Sequence, residues 1–208
     1  MIPKEKPSVI SLPILISSLL SMMSCQTTGA HKTDPAPEQR SAKTQPTGDW
    51  SVPQTGQKKT YGSRDDGHLE LGKKMPVPRF TGNEDGTVSD RLTGLIWTKN
   101  ADQAKGKIDW DEALARSASC AEGGHKDWRL PNRNELSSLI DLGQAQPSLT
   151  TGHPFENVKL DYYWTSTTTA NGEDNAWTIH FFVGFITQDD KGGTHYVWYV
   201  RGGQTGTS

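Results

Sequence analysis

The run Lys126-Asp127-Trp128-Arg129-Leu130-Pro131-Asn132-Arg133-Asn134-Glu135-Leu136 limits what this chain can fold into more than any other stretch. Trp128 and Leu130 alternate with Asp127 and Arg129, the pattern of a half-buried strand, and Pro131 ends it because proline brings no amide hydrogen to a ladder. Asn132 is placed to cap a helix. Its side-chain oxygen accepts from amides of the first turn, and Glu135, three residues on, reaches back to the Asn132 amide. Leu136, Leu139 and Ile140 give that helix an apolar face, and Gly143 is placed to end it in a left-handed conformation. Trp128, Arg129, Pro131, Asn132 and Glu135 are therefore expected to be structural: Trp128 in the core, Arg129 and Glu135 fixing the corner. Ligand chemistry is to be sought on the loops this unit holds.

The stretches on either side extend the pattern. Arg79-Phe80-Thr81 and Thr87-Val88-Ser89-Asp90 flank Asn83-Glu84-Asp85-Gly86, and Asp-Gly between alternating residues signals a hairpin. The same loop has part of the order of a calcium-binding EF-hand. The match fails on counting, because Thr81 stands first and Leu92 stands where a bidentate Glu belongs. Leu95-Ile96-Trp97-Thr98 reads as a second strand. Asp109 caps a helix over residues 110–118, with Glu112 three residues after the cap and Gly123-Gly124 closing it. Strands are expected over residues 162–168, 176–181, 185–187 and 195–201. Two helices early and antiparallel strands late give an α+β class, with two helices, one twisted, mostly antiparallel sheet and long loops.

The N-terminal third has a different character. Lys4 and Lys6 precede an uncharged run, residues 7–24, centred on Ile10, Leu12, Ile14, Leu15, Ile16, Leu19 and Leu20. A spanning helix needs about 20 predominantly apolar residues; this run is shorter, rich in serine and broken by Pro13, as in a signal peptide over residues 1–24. Met22-Met23-Ser24-Cys25 resembles a bacterial lipobox, which implies acylation of Cys25 and attachment to a membrane through that lipid. Gln26 in place of Asp implies sorting to the outer membrane of a cell envelope. Residues 25–54 are expected to form a lipid-anchored tether, since Thr, Gln, Pro, Lys, Ser and Gly offset little ordering entropy by burial. As a coil, residues 26–60 would reach about 30 to 35 Å. Residues 55–78 read as a partly ordered preamble, with Tyr61, Leu69 and Leu71 able to dock on the domain, and residues 204–208 as a tail.

Charge and cysteine content narrow the functions open to the domain. Residues 1–78 carry ten Lys or Arg against seven Asp or Glu, a formal +3, whereas residues 79–208 carry twelve against seventeen, a formal −5. Nucleic acid is therefore not expected as a partner, because phosphate binding needs clustered positive charge. Cys120 is the one cysteine besides Cys25, so a chain acylated at Cys25 forms no intrachain disulfide, and Cys120 reads as a small buried hydrophobe.

Seven ordered blocks carry a resemblance: Arg79-Phe80-Thr81 with residues 85–90; Leu92-Thr93-Gly94-Leu95-Ile96-Trp97; Trp110 with Glu112-Ala113-Leu114; Asp127 to Asn132 with Glu135-Leu136; Tyr163 to Thr167; Ala176-Trp177; and Tyr196-Val197 to Gly203. In this order they resemble the family named for the C-terminal domain of the Legionella collagen-like adhesin (Lcl C-terminal domain), over residues 79–203. Thr55-Gly56-Gln57 is similar to the segment that often precedes it. The resemblance implies an exported domain related to C-type lectin-like and formylglycine-generating-enzyme folds. The adhesin itself binds sulfated glycans, whereas a −5 domain offers such a chain little attraction. Members often have a Cys where this chain has Tyr199, so the disulfide that could join it to a helix cysteine such as Cys120 is absent.

Three places are candidate binding sites. Trp164 with Thr165, Ser166 and Asn171 offers a stacking face beside short polar groups, as a neutral sugar requires; the alternative is a core tryptophan among strand threonines. Asp174 and Asn175, after Glu173, resemble in kind the acid-amide cluster that holds calcium in C-type lectins, though without its spacing. No other cofactor is expected. Phe182-Val183-Gly184-Phe185 places apolar side chains at a hairpin tip, with Phe182 and Phe185 expected to contact a partner or glycan. Catalysis is not expected: the formylglycine-generating relatives need a cysteine pair, no Gly-x-Ser-x-Gly, His-Glu-x-x-His or Cys-x-x-Cys motif is present, and the histidines are scattered. The expected function is a non-catalytic, adhesin-like binding module for a surface glycan or protein. A structural envelope lipoprotein is the alternative, an enzyme a more distant one, and the sequence leaves the oligomeric state open.

Overall fold

The computed structural model describes residues 52–203. The expected signal peptide, Cys25, most of the tether and the tail lie outside them. Helix α1 (Asp66–Leu69) is a single turn in the preamble. Strands β1 (Phe80–Gly82), β2 (Thr87–Asp90) and β3 (Ile96–Thr98) are followed by α2 (Trp110–Ser119), a 3₁₀ turn (Glu122–Gly124) and α3 (Arg133–Ser138). Then come β4 (Tyr162–Thr169), β5 (Gly172–His180), β6 (Phe185–Asp190) and β7 (Val200–Arg201). The class is α+β. The strands form two antiparallel sheets rather than one, with orders β1-β2-β3-β7 and β4-β5-β6. Among the described residues no helix is long and apolar enough to cross a membrane.

Local chemistry explains several elements. Gly86, at φ +82°, makes the turn between β1 and β2. Asp109 caps α2 by accepting from the Glu112 amide at 2.8 Å, while the Glu112 side chain pairs forward with Arg116. At α3 the capping box is complete: Asn132 Oδ1 accepts from the Glu135 amide at 2.9 Å and Glu135 Oε2 from the Asn132 amide at 2.8 Å. Arg129 meets the same carboxylate through both Nη atoms, at 2.7 and 2.6 Å, and donates to the Gly202 carbonyl at 2.9 Å. Trp128 is 3 % exposed and its indole donates to Glu122 O at 3.0 Å. Pro131 is buried, and its carbonyl accepts from the Ser166 amide.

The structure corrects five further expectations. The segment 127–130 is no strand of its own; Arg129 makes one isolated bridge to Val200. Helix α3 ends at Ser138, because Leu139 and Ile140 continue into the core after the helix. Gly143 is needed for another reason: a Cβ there would lie 2.3 Å from the Gly56 carbonyl. Tyr61, Leu69 and Leu71 are exposed, so the preamble is held by main chain instead, with the Leu142 amide donating to Thr55 O at 2.8 Å.

The fifth correction concerns residues 195–201, of which only Val200 and Arg201 form a strand. His195 exchanges main-chain bonds with Ile108 at 3.0 Å, Tyr196 bridges β4, and Val200 closes the first sheet beside β3. The segment is threaded between two cores. Trp198 and Val200 join the larger, with Phe80, Trp97, Leu136, Tyr163 and Phe181. Val197 and Tyr199 join the smaller, with Ile108, Trp128, Leu130 and Trp164. Trp198 is the hub, edge-on to Phe155 at 4.6 Å, in contact with Trp97, Tyr163 and Phe181, and bonded from its indole to Thr98 O at 2.8 Å.

Candidate functional site

The face formed by α3, β6 and the loops beside them carries the exposed apolar side chains of Leu142, Phe182, Val183 and Phe185. Helix α3 lies across β5 at one end, where the Arg133 guanidinium stacks 4.6 Å above the Trp177 ring and the Arg133 amide donates to Thr167 Oγ1 at 3.0 Å. Between α3, the preamble and the start of β6 runs a groove of about 650 Å³, lined by Val52, Met75, Ser137, Ile140, Leu142 and Ile186 among others. A second hollow of about 510 Å³ continues beyond Ile186 to Trp177, Asn171 and Gln188. A cleft of this size, mostly apolar with a few amides and hydroxyls at its rim, suits a ligand.

The turn between β5 and β6 stands at one end of this cleft. Phe182, Val183 and Phe185 are 38, 49 and 57 % exposed, and Leu142 beside them is 53 % exposed. The backbone that carries them is braced by its neighbours. Gly184, at φ +79°, sits so close to Ile140 that a Cβ would meet its Cγ2 at 2.6 Å. The Gln146 and Ser148 amides donate to Phe182 O and Phe181 O at 2.8 and 2.9 Å, and the Phe182 amide donates to His180 Nδ1 at 3.1 Å. Apolar side chains held outward by a braced backbone lose little entropy when a partner covers them.

The other expected sites fare differently. Trp164 is fully buried and its indole donates to Ile108 O at 2.9 Å, while Thr165 is buried and donates to Trp177 O at 2.8 Å. Neither offers a surface, because β4 is covered on both faces, with Tyr163 in the larger core and Trp164 in the smaller. Ser166 is half-buried and Asn171 exposed, and Asn171 lines the second hollow beside Trp177. The accessible aromatic face is thus Trp177, which the alternation of β5 about buried Ala176 and Thr178 already signals. Val52, Arg133, Leu142 and Ile186 carried no local signal; they meet only through the fold.

Asp174 and Asn175 are neighbours on β5, so their side chains leave opposite faces of the strand and do not converge on one ion. Among the described residues no group of three His, Cys, Asp or Glu is placed to hold a metal. His195 Nε2 lies 2.8 Å from Asp189 Oδ2, which looks like half of an acid–base pair. Its Nδ1, however, is buried without a partner and the ring packs edge-on to Trp164 at 4.4 Å. Burial lowers the His195 pKa despite the neighbouring carboxylate, so this histidine is a neutral structural donor. Cys120, half-buried, lines a polar pocket with Arg116 and Tyr199; burial raises its thiol pKa and pushes the Tyr199 phenol up to about 12.

Comparison with protein-family models matches residues 86–201 to the Lcl C-terminal domain. Among curated proteins no sequence matches the chain.

Proposed function

We propose that this chain, which belongs to the Lcl C-terminal domain family, is an exported, lipid-anchored, non-catalytic binding module. Its task is adhesin-like: recognition of a glycan or protein on a cell surface by the face that carries Phe182, Val183 and Phe185. The observation that carries this reading is the braced, exposed apolar tip at the mouth of the groove. An apolar patch held outward in this way marks an interaction site. In this reading Cys25 carries the lipid, the tether lifts the domain off the outer membrane, and the fold is kin to C-type lectin-like domains.

The test is a double substitution, Phe182→Ser with Phe185→Ser. Because both side chains are exposed, the melting temperature should stay within about 2 °C, a shift of roughly half a kcal/mol. Binding of the full-length chain to target cells should weaken at least about tenfold, as the loss of two aromatic anchors implies. Unchanged cell binding by a normally folded variant overturns the reading. Protease treatment of whole cells gives a second check: a domain that is never released is not displayed at the surface.

A further inference from the structure

We propose that the outer edge of β6 is a site of β-strand addition, and that its occupant is an extended protein segment running antiparallel to β6 with basic residues ahead of apolar ones. The proposal rests on the reading of this face as the recognition surface and specifies the partner.

The strand edges of the molecule end in different ways. The outer edge of β4 is closed by main chain: the Trp164 amide donates to Tyr196 O at 3.0 Å, the Tyr196 amide to Tyr162 O at 3.1 Å, and the Ser166 amide to Pro131 O at 2.8 Å. The outer edge of β7 is closed by a reciprocal pair of bonds between Arg129 and Val200, both 3.0 Å. Strand β6 pairs with β5 from Phe185 to Asp190 on one side. Among the described residues no main-chain bond from another segment reaches its other side; only the turn bond from Gly193 to Asp190 O touches its end. The Asp190 amide is satisfied by Asp189 Oδ1 at 2.9 Å, so the open edge runs from Phe185 to Asp189 and presents alternate amides and carbonyls as a template for a further strand. Proline and lysine, which guard such edges, are absent from Phe185-Ile186-Thr187-Gln188-Asp189-Asp190.

The surroundings specify the occupant. Beside the edge lie the groove with Val52, Leu142 and Ile186 and the hollow with Trp177, which supply pockets for alternate side chains of an added strand. At the start of β6 the surface is apolar, through Val183, Phe185 and Leu142. At its far end stand the carboxylates of Glu173, Asp174, Asp189 and Asp190, all exposed. The nearby Lys191 is turned to the Glu173 carbonyl at 2.6 Å and over the Trp110 ring. An antiparallel strand brings its first residues to the carboxylates and its last to the apolar end, so charge complementarity sets both direction and register.

The probe is the peptide acetyl-Lys-Arg-Thr-Val-Thr-Ile-amide, titrated into the purified full-length chain. Two further versions carry backbone N-methyl groups on alternate residues, one set in each register. Strand addition predicts that one N-methylated version binds at least about tenfold weaker while the other keeps the parent affinity, since only alternate amides face the edge. Amides of β6 should gain protection from hydrogen exchange, and Asp174→Asn with Asp190→Asn should weaken binding and flatten its salt dependence. No binding, or equal binding by both N-methylated peptides, overturns the proposal. If the Phe182→Ser, Phe185→Ser variant loses cell binding while the peptide fails, the recognition surface stands and its ligand is a glycan. If that variant keeps its cell binding, the recognition reading itself falls.

Discussion

Arg79 and Asp90 form the most consequential pairing that was not legible in the linear chain. Both side chains are fully buried; Arg79 Nε and Nη2 reach the Asp90 oxygens at 3.1 and 2.9 Å, and Nη2 also reaches Ser138 O at 2.6 Å. Asp90 in turn accepts from the Leu92 amide and the Thr93 hydroxyl, so the pair joins the β1–β2 hairpin to the end of α3. Arg79 already has one Nη buried without a partner, which leaves little tolerance for losing the carboxylate. Replacing Asp90 with Asn is expected to cost about 3–5 kcal/mol in denaturant unfolding, the cost of stranding a buried charge; a loss below about 1 kcal/mol would contradict this. Trp164 teaches a related lesson. Both it and Trp177 stand among aromatic and β-branched strand residues, and only the second cover over β4 decides which indole is sealed and which is reachable.

At the scale of elements, what was legible was what is local. The capping box of α3, the Asp-Gly hairpin and the order of β4, β5 and β6 are written in residues within a few positions of one another, and each is found. The length of α3 and the fragmentation of residues 195–201 were not legible, because burial of Leu139 and threading between cores are decided by distant partners. The corner from Trp128 to Leu136 sits at the junction of both kinds of information. Trp128→Ala removes a nearly sealed indole and its bond to Glu122 O, with an expected loss of about 3–5 kcal/mol. Asp174→Ala, on an exposed strand end, should leave the domain folded. Thermal melts of the two side by side decide the matter: an unshifted Trp128→Ala melt removes the corner from its place as scaffold.

For the molecule as a whole, the segment 195–201 couples stability to pH. His195 sits where this segment meets β6 and the Ile108 loop, facing Asp189, with Lys107 and Asp161 also acting on its charge. Burial depresses its folded pKa below the unfolded value of about 6.5, so the unfolded chain binds the proton more readily. The stabilisation is complete above about pH 6.5 and is lost as pH falls through the folded pKa. His153, also lowered by burial, acts with the same sign. The melting temperature should be flat between about pH 7 and 8 and decline toward pH 5.5, with a shallower decline in His195→Gln, where an amide can still meet Asp189. An equal slope in that variant would show that His195 is not the group responsible.

The same threading governs when the domain can come into being. Val200 pairs with Trp97, a contact between residues about a hundred positions apart, and Tyr196 closes β4 within the same short segment. A chain delivered residue by residue from its N-terminus can form hairpins early, yet neither sheet is sealed until the last of these positions has emerged. Such a late, long-range closure makes folding slow. Under the export proposed above, that delay keeps the polypeptide loose enough to pass a narrow channel before it locks.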